Sequence, residues 1–138
     1  MDSEKLIDRL NDVNKNTMME TLGITFIEAR ENHVVASMPV SPKVHQPDGV
    51  LHGGATVALA ETVGSYASFL SIDKDTQMVR GIEISANHLR SIREGLVIAT
   101  ATPIHKGRTT QLWEIKIVDE QDQLISLCKL TTIVLSKK

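Results

Sequence analysis

The chain has a single cysteine, Cys128, which excludes an internal disulfide; its alternation with apolar neighbours reads as a packed thiol rather than a nucleophile. It has no excess of charge of either sign. With 15 lysines and arginines against 17 aspartates and glutamates, the formal charge is -2, which argues against nucleic acid or an anionic membrane as the main partner. No uninterrupted apolar run is long enough to span a bilayer, and the opening Met1-Asp2-Ser3-Glu4-Lys5 lacks a signal-type apolar core, so the cytoplasm is the expected location. His33, His45, His52, His88 and His105 are scattered, without a cysteine or histidine cluster of metal-site spacing, so no metal is expected. Internal repeats and low-complexity segments are absent as well.

What is present suits a globular domain. At 138 residues with 41% hydrophobic content, the chain predicts one domain, 1–138, with a sizeable core. Leu6, Ile7, Leu10 and Val13 recur at helical spacing behind a possible Ser3 cap, and Thr17 with Glu20 has capping-box spacing before a short turn that Gly23 can close. Ile24–Ala29 and Val34–Val40 read as a hairpin around Glu31-Asn32. After the turn signal Pro47-Asp48-Gly49 comes a long apolar segment whose alanine content favours helix, ending near Asp73.

The remainder is strand-like, at Met78–Leu89, Leu96–His105, Thr109–Val118 and Leu124–Leu135, with Pro103 marking an edge, bulge or strand end. Trp113, Ile115 and Ile117 alternate with Glu114 and Lys116, so one sheet face is buried. These elements predict an α+β domain with four final strands in meander, the antiparallel sheet curving around the apolar helix and a second subunit covering what the sheet leaves open.

Glu61 is the one charged residue between Gly53 and Leu70. In a helix buried on most faces an ionised carboxylate is costly unless paired or used, so Glu61 is a candidate catalytic residue, with Ser65 four residues on along the same face. Gly53 and Gly54 sit where the first amides of the helix lack partners, so a carbonyl oxygen can approach them closely; they also serve simply to permit a tight turn. His52 and Gln46 can present polar groups to the same carbonyl or to an attacking water, or act as loop capping groups. At ~1.5 Å of rise per residue, Glu61 lies more than about 10 Å along the axis from Gly53. Either the two serve different ends of a ligand or Glu61 meets the Gly53 end of another subunit.

His45-Gln46-Pro47-Asp48-Gly49-Val50-Leu51-His52-Gly53-Gly54-Ala55, followed by Leu59-Ala60-Glu61-Thr62-Val63-Gly64-Ser65, resembles the signature of hotdog-fold acyl-CoA thioesterases. It is most similar to the glutamate-type branch containing 4-hydroxybenzoyl-CoA, dihydroxynaphthoyl-CoA and enterobactin-proofreading thioesterases. The resemblance implies a single hotdog domain, a homodimer at minimum with pairing into homotetramers, and an active site between subunits. It also implies hydrolysis of an acyl-CoA carrying a small aromatic acyl group, with CoA as part of the substrate and no cofactor besides. In that picture the Gly53 amide polarises the thioester carbonyl, Gln46 and His52 orient it, Glu61 attacks or activates water, and Ser65 positions that water or the carboxylate. His88, Arg90, Lys106 and Arg108 are implied as contacts to the CoA phosphates; by charge alone they are solvated loop residues. Asp48 departs from the apolar or aromatic residue common there, which weakens transfer of an acyl preference. Val63, Tyr66, Ala67, Phe69 and Met78 are candidates for lining a pocket, or plain core. The competing functions are a non-catalytic acyl-CoA sensor, which would gain nothing from the acid, and a hotdog hydratase or dehydratase, which would need a different His and Asp arrangement.

Overall fold

The structure, a computed structural model, describes residues 2–138. The amphipathic opening forms helix α1, Ser3–Val13, with Leu10 buried. Its cap is Asp2 rather than Ser3: the Lys5 N–H donates to the Asp2 carboxylate at 2.9 Å, an equally good capping group one residue earlier. Helix α2, Met18–Leu22, ends at Gly23, whose φ of 76° is the left-handed turn glycine favours. The predicted capping box forms only in part. Glu20 Oε1 accepts from the Asn16 N–H, but the Thr17 hydroxyl donates to the Asn14 carbonyl and caps nothing.

Strands β1, Thr25–Arg30, and β2, His33–Val40, form the expected hairpin, with Asn32 at φ 67° in its turn. Helix α3, Gly53–Phe69, ends four residues before the predicted Asp73. Then come β3, Gln77–His88, β4, Gly95–Lys106, β5, Thr110–Val118, and β6, Leu124–Ser136. Pro103 adjoins a register shift in the β4–β5 pairing, as its missing N–H requires.

The order across the curved antiparallel sheet is β1-β2-β4-β5-β6-β3, so the four final strands are not one meander. After α3 the chain enters the far edge with β3, and the segment 89–94 returns past the start of α3 to lay β4 beside β2. Leu51 N–H donates to the Ile92 carbonyl at 2.8 Å, strapping that crossover to the loop before α3. A period-two pattern specifies faces and not neighbours, which is why the strand swap is silent in the sequence.

The wrapped arrangement is the hotdog fold. The sheet's inner face presents Trp113, Ile115, Ile117 and Leu130, all fully buried, and α3 meets it with Leu59, Ala60, Val63, Gly64 and Ala67. Cys128 is buried too, and burial raises its thiol pKa, as suits an inert packed cysteine. Near the end of α3 the Ser68 hydroxyl lies 2.8 Å from both Gln111 Oε1 and Thr132 Oγ1, while Trp113 Nε1–H donates to the same Gln111 oxygen at 2.9 Å. That buried network fixes the far end of the helix on three different residues of β5 and β6. Among the described residues no helix is long and apolar enough to cross a membrane.

Contact between α3 and the sheet depends on Gly64. A Cβ there would stand 2.7 Å from Leu130 Cδ2 and 3.2 Å from Ile115 Cδ1, inside normal contact distance. Gly64→Ala should therefore lower stability by about 1–3 kcal/mol through overpacking, despite the better helix propensity of alanine. Urea unfolding should show a lower midpoint at unchanged slope; an unchanged midpoint would contradict this packing.

Candidate functional site

The loop 45–52 is built to deliver His52 as the cap of α3. Its extended backbone (φ -69°, ψ 131°) turns the imidazole back so that the Gly54 N–H donates to Nδ1 at 2.8 Å. Ala55 and Thr56 N–H both donate to the His52 carbonyl, at 3.0 and 3.2 Å. Among the described residues the Gly53 N–H is the one amide of that first turn with no acceptor, and it sits at the positive end of the helix. Because Nδ1 accepts, neutral His52 carries its proton on Nε2, which makes that ring nitrogen a donor.

Gln46 joins Gly53 in lining a cavity of about 310 Å³. Its Nε2 donates to Asp48 Oδ1 at 2.8 Å, which fixes the amide and leaves its oxygen and second proton free. Asp48 thus holds Gln46. Arg93 Nη1 donates to the Asp48 carbonyl at 3.1 Å, tying this turn to the crossover segment.

His88 and Arg90 line the same cavity, where the sequence suggests only outer phosphate contacts. The His88 ring is packed on Gly53: a Cβ there would lie 2.8 Å from His88 Nε2. Its Nδ1 lies 3.0 Å from Ser126 Oγ, whose own proton points at the Asn87 carbonyl, 3.1 Å away. No spacing rule brings residues 53 and 88 together; the pairing of β3 with β6 does. Lys106 and Arg108 lie at the other end of the sheet, and Lys106 Nζ donates to Asn32 Oδ1 at 2.7 Å. Strand β4, which separates the two ends, has 12 residues; at ~3.3 Å per step between neighbouring residues its first and last are roughly 36 Å apart along the chain. One chain therefore groups Gln46, Gly53, His88 and Arg90 around one cavity, with His52 as the cap of the helix that Gly53 begins, and leaves Lys106 and Arg108 apart.

Glu61 and Ser65 are also apart from Gly53, eight and twelve residues along α3. Glu61 is exposed in the single chain, against the expectation of burial, because the sheet covers one side of α3 and leaves the other open. Among the described residues neither side chain makes a hydrogen bond or an ion pair within the chain. Met18 and Met19 share a separate cavity of about 260 Å³ with Glu61 and Ser65, contacts that no sequence motif announces. A Cβ on Gly81 of edge strand β3 would come 3.2 Å from Glu61 Oε2, so the carboxylate rests against that edge. The pairing register of β3 shifts between Gly81 and Glu83, leaving Ile82 57% exposed there. Of the proposed lining residues, Val63 and Ala67 are core, while Tyr66 and Phe69 reach cavities on the open face.

Among the described residues no group of three or more histidine, cysteine or carboxylate side chains is placed to hold a metal. One set thus offers donors for a developing oxyanion, and the other offers an unpaired carboxylate beside a hydroxyl.

The pattern of the thioesterase superfamily matches residues 48–126, the stretch holding Gly53, Glu61, Ser65 and His88. A Vibrio cholerae protein with a provisional esterase name is 49% identical over 128 residues, covering 93% of this chain and 85% of that one. Among solved structures, a mutant thioesterase from Pseudomonas aeruginosa superposes with a TM-score of 0.92 at 41% identity, covering 95% of this chain and 94% of that one. A thioesterase from Haemophilus influenzae gives 0.90 at 43% identity, covering 94% and 90%.

The His52 assignment is open to direct test. Nitrogen NMR of the side chains at a pH where imidazoles are neutral should show the His52 proton on Nε2 and an acceptor at Nδ1. A proton on Nδ1 would contradict the cap.

Proposed function

The chain belongs to the thioesterase superfamily, and from that premise we propose that it hydrolyses an acyl-CoA thioester to the free acid and CoA. The observation that carries this reading is the Gly53 N–H, without an acceptor among the described residues and lining a cavity with Gln46, preceded in the chain by a His52 whose Nδ1 is taken up by the helix cap and whose Nε2–H is left to donate. Two such donors stabilise the oxyanion that forms when a thioester carbonyl is attacked, and being fixed in advance they need no reorganisation.

The attacking group is Glu61 of a second copy. Within one chain Gly53 and Glu61 stand ~12 Å apart along the helix axis, too far to serve one carbonyl. Pairing two chains removes the conflict. Edge strand β3 is the natural surface: the opposite edge, β1, is packed by α1, whereas β3 offers a free ladder and the exposed Ile82 next to Glu61. A two-fold pair then forms two sites, each with Gln46, His52 and Gly53 from one chain and Glu61 and Ser65 from the other. The same assembly, as a dimer or a pair of dimers, offers Lys106 and Arg108 to a CoA whose phosphates meet Arg90, a meeting that a single chain does not provide.

In this mechanism Gln46, held by Asp48, helps to orient the thioester. Glu61 attacks the carbonyl carbon or removes a proton from water as it attacks, and Ser65 positions that water or the carboxylate. The carbonyl oxygen takes the negative charge under the Gly53 and His52 donors, and the tetrahedral intermediate collapses with loss of the CoA thiolate. Where water attacked, the proton held by Glu61 passes to the sulfur; where Glu61 attacked, water then cleaves the resulting anhydride to release the acid and restore the carboxylate. A small aromatic acyl group suits the compact compartment beside Glu61.

Glu61→Gln should cut turnover of the preferred substrate by about 10²–10⁴-fold, the usual weight of such a group, with folding unchanged by circular dichroism. The assay is CoA release from a panel of aroyl, naphthoyl and aliphatic thioesters. Near-normal turnover would refute the assignment, and tight binding without CoA release by the unaltered protein would favour a sensor. A single turnover in heavy-oxygen water then probes the two roles of Glu61: label in the carboxylate marks an anhydride intermediate opened at Glu61, and label confined to the product acid marks attack of water on the acyl carbon.

A further inference from the structure

The open face of α3 carries Ala58, Glu61, Thr62, Ser65, Tyr66 and Phe69, recurring three and four residues apart in one stripe. Two cavities lie along it, and Tyr66 lines both. The first, of about 260 Å³, contains Glu61 and Ser65 under the α2 methionines. The second, of about 520 Å³, is walled by Leu6, Leu10 and Val13 of α1 and by Phe69 and Leu70, with Arg9 and Lys74 as its cations. Among the described residues neither cation pairs with an acid; Lys74 Nζ lies 5.2 Å from the centre of the Phe69 ring.

Tyr66 is held in place between them. Its ring packs edge-on to Phe26, with centroids 4.8 Å apart and planes at 83°. Its hydroxyl donates to Asn14 Oδ1 at 3.2 Å, and Asn14, between α1 and α2, is itself 3% exposed. Burial raises the phenol pKa, so the hydroxyl stays a neutral donor. Two contacts to different elements leave the ring little freedom to swing aside.

The geometry points to Tyr66 as the wall that sets acyl length, closing the compartment at Glu61 and shutting off an apolar extension that would take a longer chain ending in a carboxylate. The inference rests on the thioesterase reading above for its substrate. Tyr66 follows Glu61 by five residues, ~7.5 Å along the axis, room for one ring and not for an extended chain. Beyond the wall the apolar side chains match methylenes, and Arg9 and Lys74 match an anion at the chain's end.

The test compares kcat/KM for benzoyl-CoA, dodecanoyl-CoA and the dodecanoyl thioester bearing a terminal carboxylate. The unaltered protein should favour benzoyl. In Tyr66→Ala the dodecanoyl-to-benzoyl ratio should rise at least roughly tenfold, the scale on which an apolar pocket discriminates by size, and the carboxylated chain should gain more than the plain one. Tyr66→Phe, which keeps the ring, should hold the original preference. Adding Val13→Trp to Tyr66→Ala refills the extension and should abolish the gain; if Tyr66→Ala does not fold, Tyr66→Leu takes its place. An unchanged ratio in a folded variant overturns the proposal, as does a gain that survives Val13→Trp. Should no thioester be cleaved at all, hydrolysis fails as the function, and dissociation constants for uncleavable thioether analogues of the same acyl groups then decide the wall separately, by the same ratios.

Discussion

The contact between the small-residue face of α3 and the inner face of the sheet governs the placement of everything else. Gly64 lets the helix backbone settle against Leu130 and Ile115, and Ala60 and Ala67 extend that close approach in both directions. A helix seated so closely has one allowed rotation. That rotation buries Leu59 and Val63, puts Glu61, Ser65 and Tyr66 on the less covered side of the helix, with the Glu61 carboxylate at the β3 edge and the Tyr66 ring against Phe26, and brings Gly53 against His88. The Ser68, Gln111 and Thr132 hydrogen bonds secure the other end and prevent the helix from sliding.

From this seating the chemistry divides into two half-sites. At the N-terminus, capping by His52 uses up every first-turn amide except that of Gly53, and the hydrogen bond that makes the cap also dictates where the imidazole proton resides. Structure and donor capacity therefore come from a single interaction. Midway along the helix, Glu61 is left without a hydrogen-bond or ion-pair partner among the described residues, although an unpaired acid beside an open apolar strand edge gives an isolated molecule no advantage. In the proposed pair the edge is covered and the acid faces a carbonyl held by the other chain.

Much of this was legible in the sequence, because periodicity, turn residues and motif spacing are local. The β1–β2 hairpin, the buried Trp113, Ile115 and Ile117 face, the bulge at Pro103 and the glycines before α3 each rest on a few neighbouring residues. Helix geometry alone separates Glu61 from Gly53. What remained hidden depends on long-range pairing. The exchange that sends β3 to the far edge leaves no trace in alternation, and with it goes the approach of His88 to Gly53. The apolar surroundings of Glu61 predict burial, and the single chain leaves it exposed, since an apolar sequence records what an assembly covers as well as what one chain covers. The contact of Tyr66 with Asn14 joins residues 52 apart through two side chains, with no periodic signal to announce it.

The claim that an active site needs two chains is tested most directly by mixing two defective ones. Chains carrying Glu61→Ala and chains carrying His52→Ala, each inactive or nearly so alone, are co-expressed, and thioesterase activity is measured in the mixed population. Random pairing makes half the dimers mixed, each with one intact and one doubly altered site, so activity should recover to about a quarter of the unaltered protein's. Activity no higher than that of the separate variants, in a population shown to contain mixed dimers, would contradict the shared site.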